Sequence, residues 1–391
     1  MNQIPIPNQN QTQNTTHIRE HIGLVTNDTS TSQLCFLISP LKNKASVEKT
    51  EYVVLDHPTY GDTCQIIAEI TDIRAYEEVV GGSISDKTAG NMVATAQIIG
   101  YINQQEQNKP IHQLLTPPNP GSRVYIPLAD FLEDTFTRDT DGKQYSNPIC
   151  IGNIETTAPT DSENKRPLKF YLNAETLTTT HTLITAKDGA GKTHTAKIII
   201  EEIVRKTQTP IVILDPHGEY KTLGENTNKP VQAIRLNQEK TDKDFTKLVQ
   251  LNQITTLNAQ ELKPEEKYKT LNNQLSVLWN ARIEKTIIPF LLIVEEAENL
   301  KNQTLESIAY EGTKHGIALL LIAKHPIELG GLILSQTSTQ IMGRTTDNDD
   351  LDCLKNMAQD KTLLLPTLKQ GQWIVSSVTT TRSMQVQVRE Q

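Results

Sequence analysis

The chain is poor in the residues that build metal and disulfide frameworks. Its four cysteines, Cys35, Cys64, Cys150 and Cys353, lie far apart. No CxxC pair or matched histidine spacing accompanies them, which argues against a zinc site and a disulfide scaffold. Basic charge is not in excess either: 38 Lys and Arg face 46 Asp and Glu, a net charge of −8 over 391 residues. No bulk field therefore draws in nucleic acid, and any DNA contact must come from local basic loops. No apolar run reaches the roughly 18 residues of a membrane-spanning helix. The N-terminus lacks a charged-then-apolar signal pattern, and no internal repeat is visible. A soluble, cytoplasmic protein without membrane attachment is expected.

Three regions are expected from the pattern. Residues 1–18 are rich in Asn, Gln and Thr, cannot bury a face, and read as a disordered tail. In 19–150, short β runs such as "QLCFLISP", "EYVVLDHP" and "TCQIIAEITDI" alternate with Gly- and Pro-rich turns, the spacing of a small β-barrel or sandwich with a linker. From 151 to 391 apolar strands alternate with helical patterns: "THTLITA", "PIVILD", "LLIVEEAENL" and "IALLLIAKHP" read as buried strands. That predicts an α/β fold with a mostly parallel sheet covered on both faces, closed by a β-rich C-terminal segment, "QWIVSSVTTTRSMQVQV".

"TAKDGAGKTH", residues 185–194, sits between a strand and a helix and ends as a phosphate-binding loop does. Backbone N–H groups at such a junction cradle phosphate oxygens, helped by the helix dipole. Gly189 and Gly191 supply backbone freedom. Lys192 is placed to reach the β- and γ-phosphates of ATP, and Thr193 to hold Mg²⁺. The loop residues Asp188, Gly189, Ala190, Gly191, Lys192, Thr193 and His194 are the expected nucleotide contacts. Ala186 stands where the pattern has its first Gly, which is tolerable if its φ stays negative. About a hundred residues on, Glu295 and Glu296 end an apolar strand. In this architecture one carboxylate holds the Mg²⁺ shell (Glu295) and the other polarises the attacking water (Glu296).

Two more stretches, "VILDPHGEY" at 212–220 and the segment 312–344, complete a resemblance. The chain resembles the HerA-type hexameric DNA translocases of the HerA/FtsK superfamily. The β region resembles their HAS barrel, and "PGSRV" at 120–124 resembles the turn before their P-loop NTPase core of RecA-like fold. The resemblance implies a homohexamer around double-stranded DNA, driven by ATP and Mg²⁺. It also implies a NurA-like nuclease or another effector as partner, in DNA repair by end processing or in defence. It puts Asp215, His217 and Glu219 beside the γ-phosphate. Where the family has a γ-phosphate-sensing Gln, this chain has Lys324. The family's candidate arginine finger is replaced by Thr313, leaving Lys314, with Arg344 second, to approach a neighbour's nucleotide. Loss of such an arginine can cost about 10³ in turnover, so a ring scaffold with weak hydrolysis is the alternative. A conjugation or DNA-packaging motor of the same superfamily is a third reading, disfavoured because no membrane anchor precedes the core.

Overall fold

The computed structural model describes residues 20–39, 47–76, 79–80, 83–84, 91–155, 167–223, 231–236, 249, 253–380 and 382–390. The expected N-terminal tail lies outside them. Each β run read from the N-terminal region forms a strand: β1 (Glu20–Val25), β2 (Gln33–Ile38), β3 (Tyr52–His57), β4 (Gly61–Tyr76), β7 (Asn91–Asn103) and β8 (Arg123–Ile126). A two-residue pair, β5 (Val79–Val80) and β6 (Ser83–Ile84), falls between β4 and β7. The six main strands close a barrel in the order β1-β2-β7-β4-β3-β8. Inward positions are apolar and fully buried, among them Ile22, Leu34, Phe36, Leu55, Ile66 and Val124. Closure removes the unpaired edges that an open sheet of this size would expose.

The short helix α1 (Ala129–Phe136) leads to the second sheet. Seven strands run parallel: β11 (His181–Thr185), β12 (Ile211–Asp215), β13 (Val231–Arg235), β14 (Ile254–Asn258), β15 (Phe290–Val294), β16 (Ile317–Ala323) and β17 (Thr337–Met342). Four antiparallel strands extend it beyond β17: β18 (Gln372–Ser377), β19 (Met384–Val388), β9 (Pro148–Ile154) and β10 (Lys169–Asn173). The result is one eleven-stranded sheet, order β10-β9-β19-β18-β17-β11-β16-β15-β12-β14-β13. Residue 150, the expected end of the β region, falls inside β9.

The central parallel strands β12, β15 and β16 are apolar almost throughout because both faces are covered. Alternation sorts their side chains. Ile184, Leu291 and Ile293 pack with Ile199, Ile200 and Ile203 of α3 (Lys192–Lys206) on one face. Leu183, Leu292 and Val294 face the other side, under α4 (Pro264–Ile283), α5 (Gln303–Glu311) and α6 (Pro326–Ser335). There Leu271, Leu275 and Leu278 of α4 pack with Leu305 and Ile308 of α5 and Ile333 of α6. Among the described residues the remaining α-helices are α2 (Ala174–Thr179) and α7 (Asn348–Ala358). Among the described residues no helix is long and apolar enough to cross a membrane.

Barrel and sheet share a core, in which Tyr52, Val54, Ile67 and Ile102 join the α3 face. Beside it lies a buried ionic contact. Glu69 of β4 accepts from Lys361 at 2.7 Å and lies 3.3 Å from Arg382, which also holds Asp360 at 2.7 Å.

Candidate nucleotide site

Parallel strands point their C-terminal ends to one edge, where an α/β sheet places its ligands. At that edge the turns after β11, β12, β15 and β16 enclose a cleft of about 710 Å³. The turn after β11 is the glycine loop. Gly189 and Gly191 have φ of 78° and 103°, in the left-handed region that favours glycine, and open space lies where a Cβ would stand. Gly191 is the N-cap of α3 and offers no side chain, so the first N–H groups of the helix face the cleft uncapped. Ala186 keeps a negative φ and is fully buried, the condition under which alanine can open this loop. Backbone bonds tie the loop's start to its neighbours: Lys187 donates to the Arg344 carbonyl at 2.8 Å, and Gly343 to that of Thr185 at 2.8 Å.

Lys192 donates to the Ala186 carbonyl at 2.8 Å and lies 3.3 Å from Asp188 Oδ1. The other Asp188 oxygen is 2.6 Å from Lys324 Nζ. Thr193 lines the cleft; so does His194, whose Nε2 lies 3.0 Å from the Arg389 carbonyl oxygen and ties α3 to the C-terminal segment.

The turn after β12 is organised by Asp215. Its Oδ1 accepts from the backbone N–H groups of His217, Gly218 and Glu219 at 3.2, 2.7 and 3.1 Å, and its Oδ2 from that of Tyr220 at 3.3 Å. The carboxylate is thus spent on shaping the loop, while the exposed His217 and Glu219 border the cleft. Tyr220, fully buried, donates its hydroxyl to Glu295 Oε1. Burial pushes the Glu295 carboxyl up to about 7; Glu219 and Asp215 add to the rise, against the Tyr220 bond and Lys192.

Glu296 has a φ of 49°, a left-handed conformation unusual for a residue with a Cβ. Its carboxylate is held on both sides: Oε1 by His217 Nε2 at 2.9 Å, Oε2 by the Tyr268 hydroxyl of α4 and by Asn299 Nδ2 at 3.3 Å. Burial alone would raise this carboxyl. The bonds from Tyr268 and His217 outweigh it and hold Glu296 below the ordinary value, charged at neutral pH.

Sequence reasoning missed Tyr268, Asn299 and Glu298. Tyr268 lies on α4, outside every motif that the sequence offers. Asn299 stands three residues after Glu296, the one positional hint available. Glu298 accepts from the backbone N–H of Lys324 at 2.9 Å, locking the turn after β15 to that after β16. Asn302 is the N-cap of α5, accepting from the N–H of Leu305 at 2.9 Å. Lys314 and Arg344 do not line the cleft of their own chain. Arg344 is exposed just after β17, on the cleft's edge of the sheet. Lys314 precedes β16, whose seven residues span roughly 20 Å, and so sits at the opposite edge.

Residues 149–310 match the family model described as the central domain of the helicase HerA. Over these residues the chain is similar to the HerA-type ATPases of the HerA/FtsK superfamily. It is 22% identical to a probable helicase of Methanocaldococcus jannaschii, over 84% of this chain and 88% of that one. It is 25% identical to the DNA double-strand break repair helicase HerA of Pyrococcus furiosus, over 60% of this chain but only 33% of the helicase. A probable DNA double-strand break repair helicase HerA of M. jannaschii is 36% identical over 40% of this chain and 27% of its own length. Among solved structures, VirB4 of Thermoanaerobacter pseudethanolicus aligns with 63% of this chain and 97% of its own, at 14% identity and a TM-score of 0.46. The genome packaging NTPase B204 of Sulfolobus turreted icosahedral virus 2, in complex with ATP-gammaS, covers 53% of this chain and 96% of its own, at 14% identity and a TM-score of 0.41. The matched residues include the glycine loop and the turns after β12 and β15 that line the cleft.

Proposed function

We propose that this HerA-type ATPase is a cytoplasmic, ATP-driven translocase on double-stranded DNA. It works as a homohexamer with a NurA-like nuclease or another effector, in DNA-end processing or defence. The observation that carries the reading is that one cleft brings the glycine loop, Lys192 and Thr193 together with Glu295 and Glu296. Lys192 and the N–H groups of α3 bind the phosphates. Thr193 and Glu295 line the same cleft and provide a hydroxyl and a carboxylate, oxygen donors that suit Mg²⁺. When bound, Mg²⁺ supplies charge neutralisation on the phosphates. Glu296 accepts the proton of the attacking water, with Tyr268 and His217 as its positioning residues. The barrel, of HAS type in this reading, helps close the ring, and Lys314 or Arg344 reaches the nucleotide of an adjacent subunit.

The test joins mass measurement with an ATPase assay on long duplex DNA. A nucleotide-dependent hexamer with duplex-stimulated turnover is expected, and Lys192→Ala should lose nucleotide binding while remaining folded. A strictly monomeric chain under all nucleotide conditions would sink the translocase.

The second reading, a ring that binds ATP and turns over slowly to organise an effector, is favoured by one feature. Thr313 stands in the arginine-finger position and Lys324 in that of a glutamine. Under that reading Thr313→Arg raises the ATPase rate of the assembled ring.

A further inference from the structure

The third residue of the phosphate loop is an acid, Asp188, in a loop built to receive anions. Its two oxygens are divided between two ammonium groups: Oδ2 at 2.6 Å from Lys324 Nζ and Oδ1 at 3.3 Å from Lys192 Nζ. Those two lysines are the ones that line the cleft, whose other charged lining residues are carboxylates apart from the histidines. Without a ligand, Asp188 therefore occupies both of the cleft's lysines.

A carboxylate bridging two ammonium groups does what two oxygens of a terminal phosphate would do. It carries charge of the same sign and accepts from the same donors, at charge-assisted hydrogen-bond distance from Lys324 and at a longer ion-pair distance from Lys192. The contact with Lys324 keeps Asp188 below the ordinary carboxylate range, so it is charged throughout the neutral region. Its side chain is 69% exposed and free to turn outward without moving the backbone.

We propose that Asp188 is a built-in competitor for the terminal phosphate and thereby sets the site's preference between nucleoside tri- and diphosphates. A diphosphate has to take over only the longer contact, with Lys192. A triphosphate must also pull Asp188 from Lys324, the shorter one, and place its γ-phosphate where a like charge stands. Asp188 thus penalises ATP more than ADP, and lets go once the loop is filled. This inference rests on reading the cleft as the ATP site.

Calorimetric titration of the full chain with ATP, ADP and inorganic tripolyphosphate tests it on wild type, Asp188→Asn, Asp188→Glu and Lys192→Ala. Asp188→Asn should bind ATP and tripolyphosphate about tenfold more tightly or better, and ADP by less than about threefold, since removing a like charge beside the γ-position acts mainly there. Asp188→Glu, which keeps the charge, should retain the wild-type order. If Asp188→Asn binds ATP no more tightly, or gains equally for ADP, the competitor is overturned. Weaker binding would make Asp188 a ligand and overturn it too. The arms separate the two readings. If Lys192→Ala loses ATP binding while Asp188→Asn gains none, only the competitor fails. If Lys192→Ala binds ATP as wild type does, the site assignment falls and takes the competitor with it.

Discussion

His217, in the turn after β12, lies 2.9 Å from Glu296 at the end of β15, with 78 residues of chain between them. Tyr268 of α4 donates to the other oxygen of the same carboxylate. The proposed base is therefore clamped from two elements in a left-handed backbone conformation. Glu296→Gln is expected to keep ATP bound and stop turnover, because the amide preserves shape but cannot accept a proton. Tyr268→Phe leaves the carboxylate and removes one clamp. It should lower kcat by roughly ten- to a hundredfold with nucleotide affinity unchanged, as a displaced base does. Steady-state kinetics beside equilibrium binding decides the point, and a Tyr268→Phe effect confined to affinity would remove the positioning role.

His181, at the start of β11, is 3% exposed and accepts from the backbone N–H of Leu319 at 3.0 Å through Nδ1. Burial pushes its pKa down to about 4, with a smaller opposing contribution from the backbone of Ala309. The folded state thus prefers the neutral ring. Its contribution to stability is complete above pH 6.5 and is lost as pH falls from 6.5 towards 4, the window in which the unfolded chain binds the proton and the folded chain resists it. The loss is on the order of 2–3 kcal/mol. His181→Asn keeps an acceptor for Leu319 without a titrating ring. Thermal melts from pH 7 to 4 should fall less steeply for the variant, and parallel curves would show that His181 is not the acid-sensitive group.

The N-terminal strands were legible because each carries its own alternation between Gly and Pro turns, and the apolar parallel strands because two-sided burial leaves an unmistakable composition. β17 was not. It reads Thr-Ser-Thr-Gln-Ile-Met, yet it pairs directly with β11 in the middle of the sheet. Its polar groups are satisfied sideways: Thr339 pairs with Ser377 at 2.9 Å, and Gln340 donates to the Thr337 hydroxyl at 3.0 Å. Such bonds make a polar strand tolerable in a core without marking its sequence. At the site, residues within one motif could be read directly. The pairings Asp188–Lys324 and Tyr268–Glu296 join separate turns and elements, so only the fold brings them together.

The ionic contact between barrel and sheet gives a third expectation. Glu69 and Lys361 are 4% and 6% exposed in their side chains, and Arg382 8%. Glu69→Ala would take from the buried Lys361 the carboxylate it pairs with and leave Arg382 to Asp360 alone, a defect that costs about 3–5 kcal/mol. Replacing Glu69 and Lys361 together, by Leu and Met, should cost much less, because no lone charge is left at that pair. Urea denaturation of both variants measures the difference. Equal losses would mean that the barrel is held by its apolar contacts, with the charges incidental.

The last expectation concerns the loop's first residue. A Cβ at Gly343 would stand 2.8 Å from the Ala186 Cβ and 2.8 Å from Cζ3 of Trp373, which is fully buried. Real Cβ atoms do not approach so closely, so the glycine loop and the residue that follows β17 meet here at contact distance. Gly343→Ala must push the start of the loop, the indole, or both. Overpacking of this kind costs about 1–3 kcal/mol. Because Ala186 leads into the phosphate loop, the same shift should weaken nucleotide binding. Ala186→Gly removes one of the two clashing atoms and restores the residue that the loop pattern calls for. In the double variant it should recover part of both losses, while in the wild-type background it leaves a small void and gains no stability. The interaction energy from this double-mutant cycle is the deciding quantity, since residues in contact depart from additivity by about 0.5–3 kcal/mol. Strictly additive effects would show that Ala186 and Gly343 do not constrain each other, and that an alanine at the head of the loop has no partner in the turn after β17.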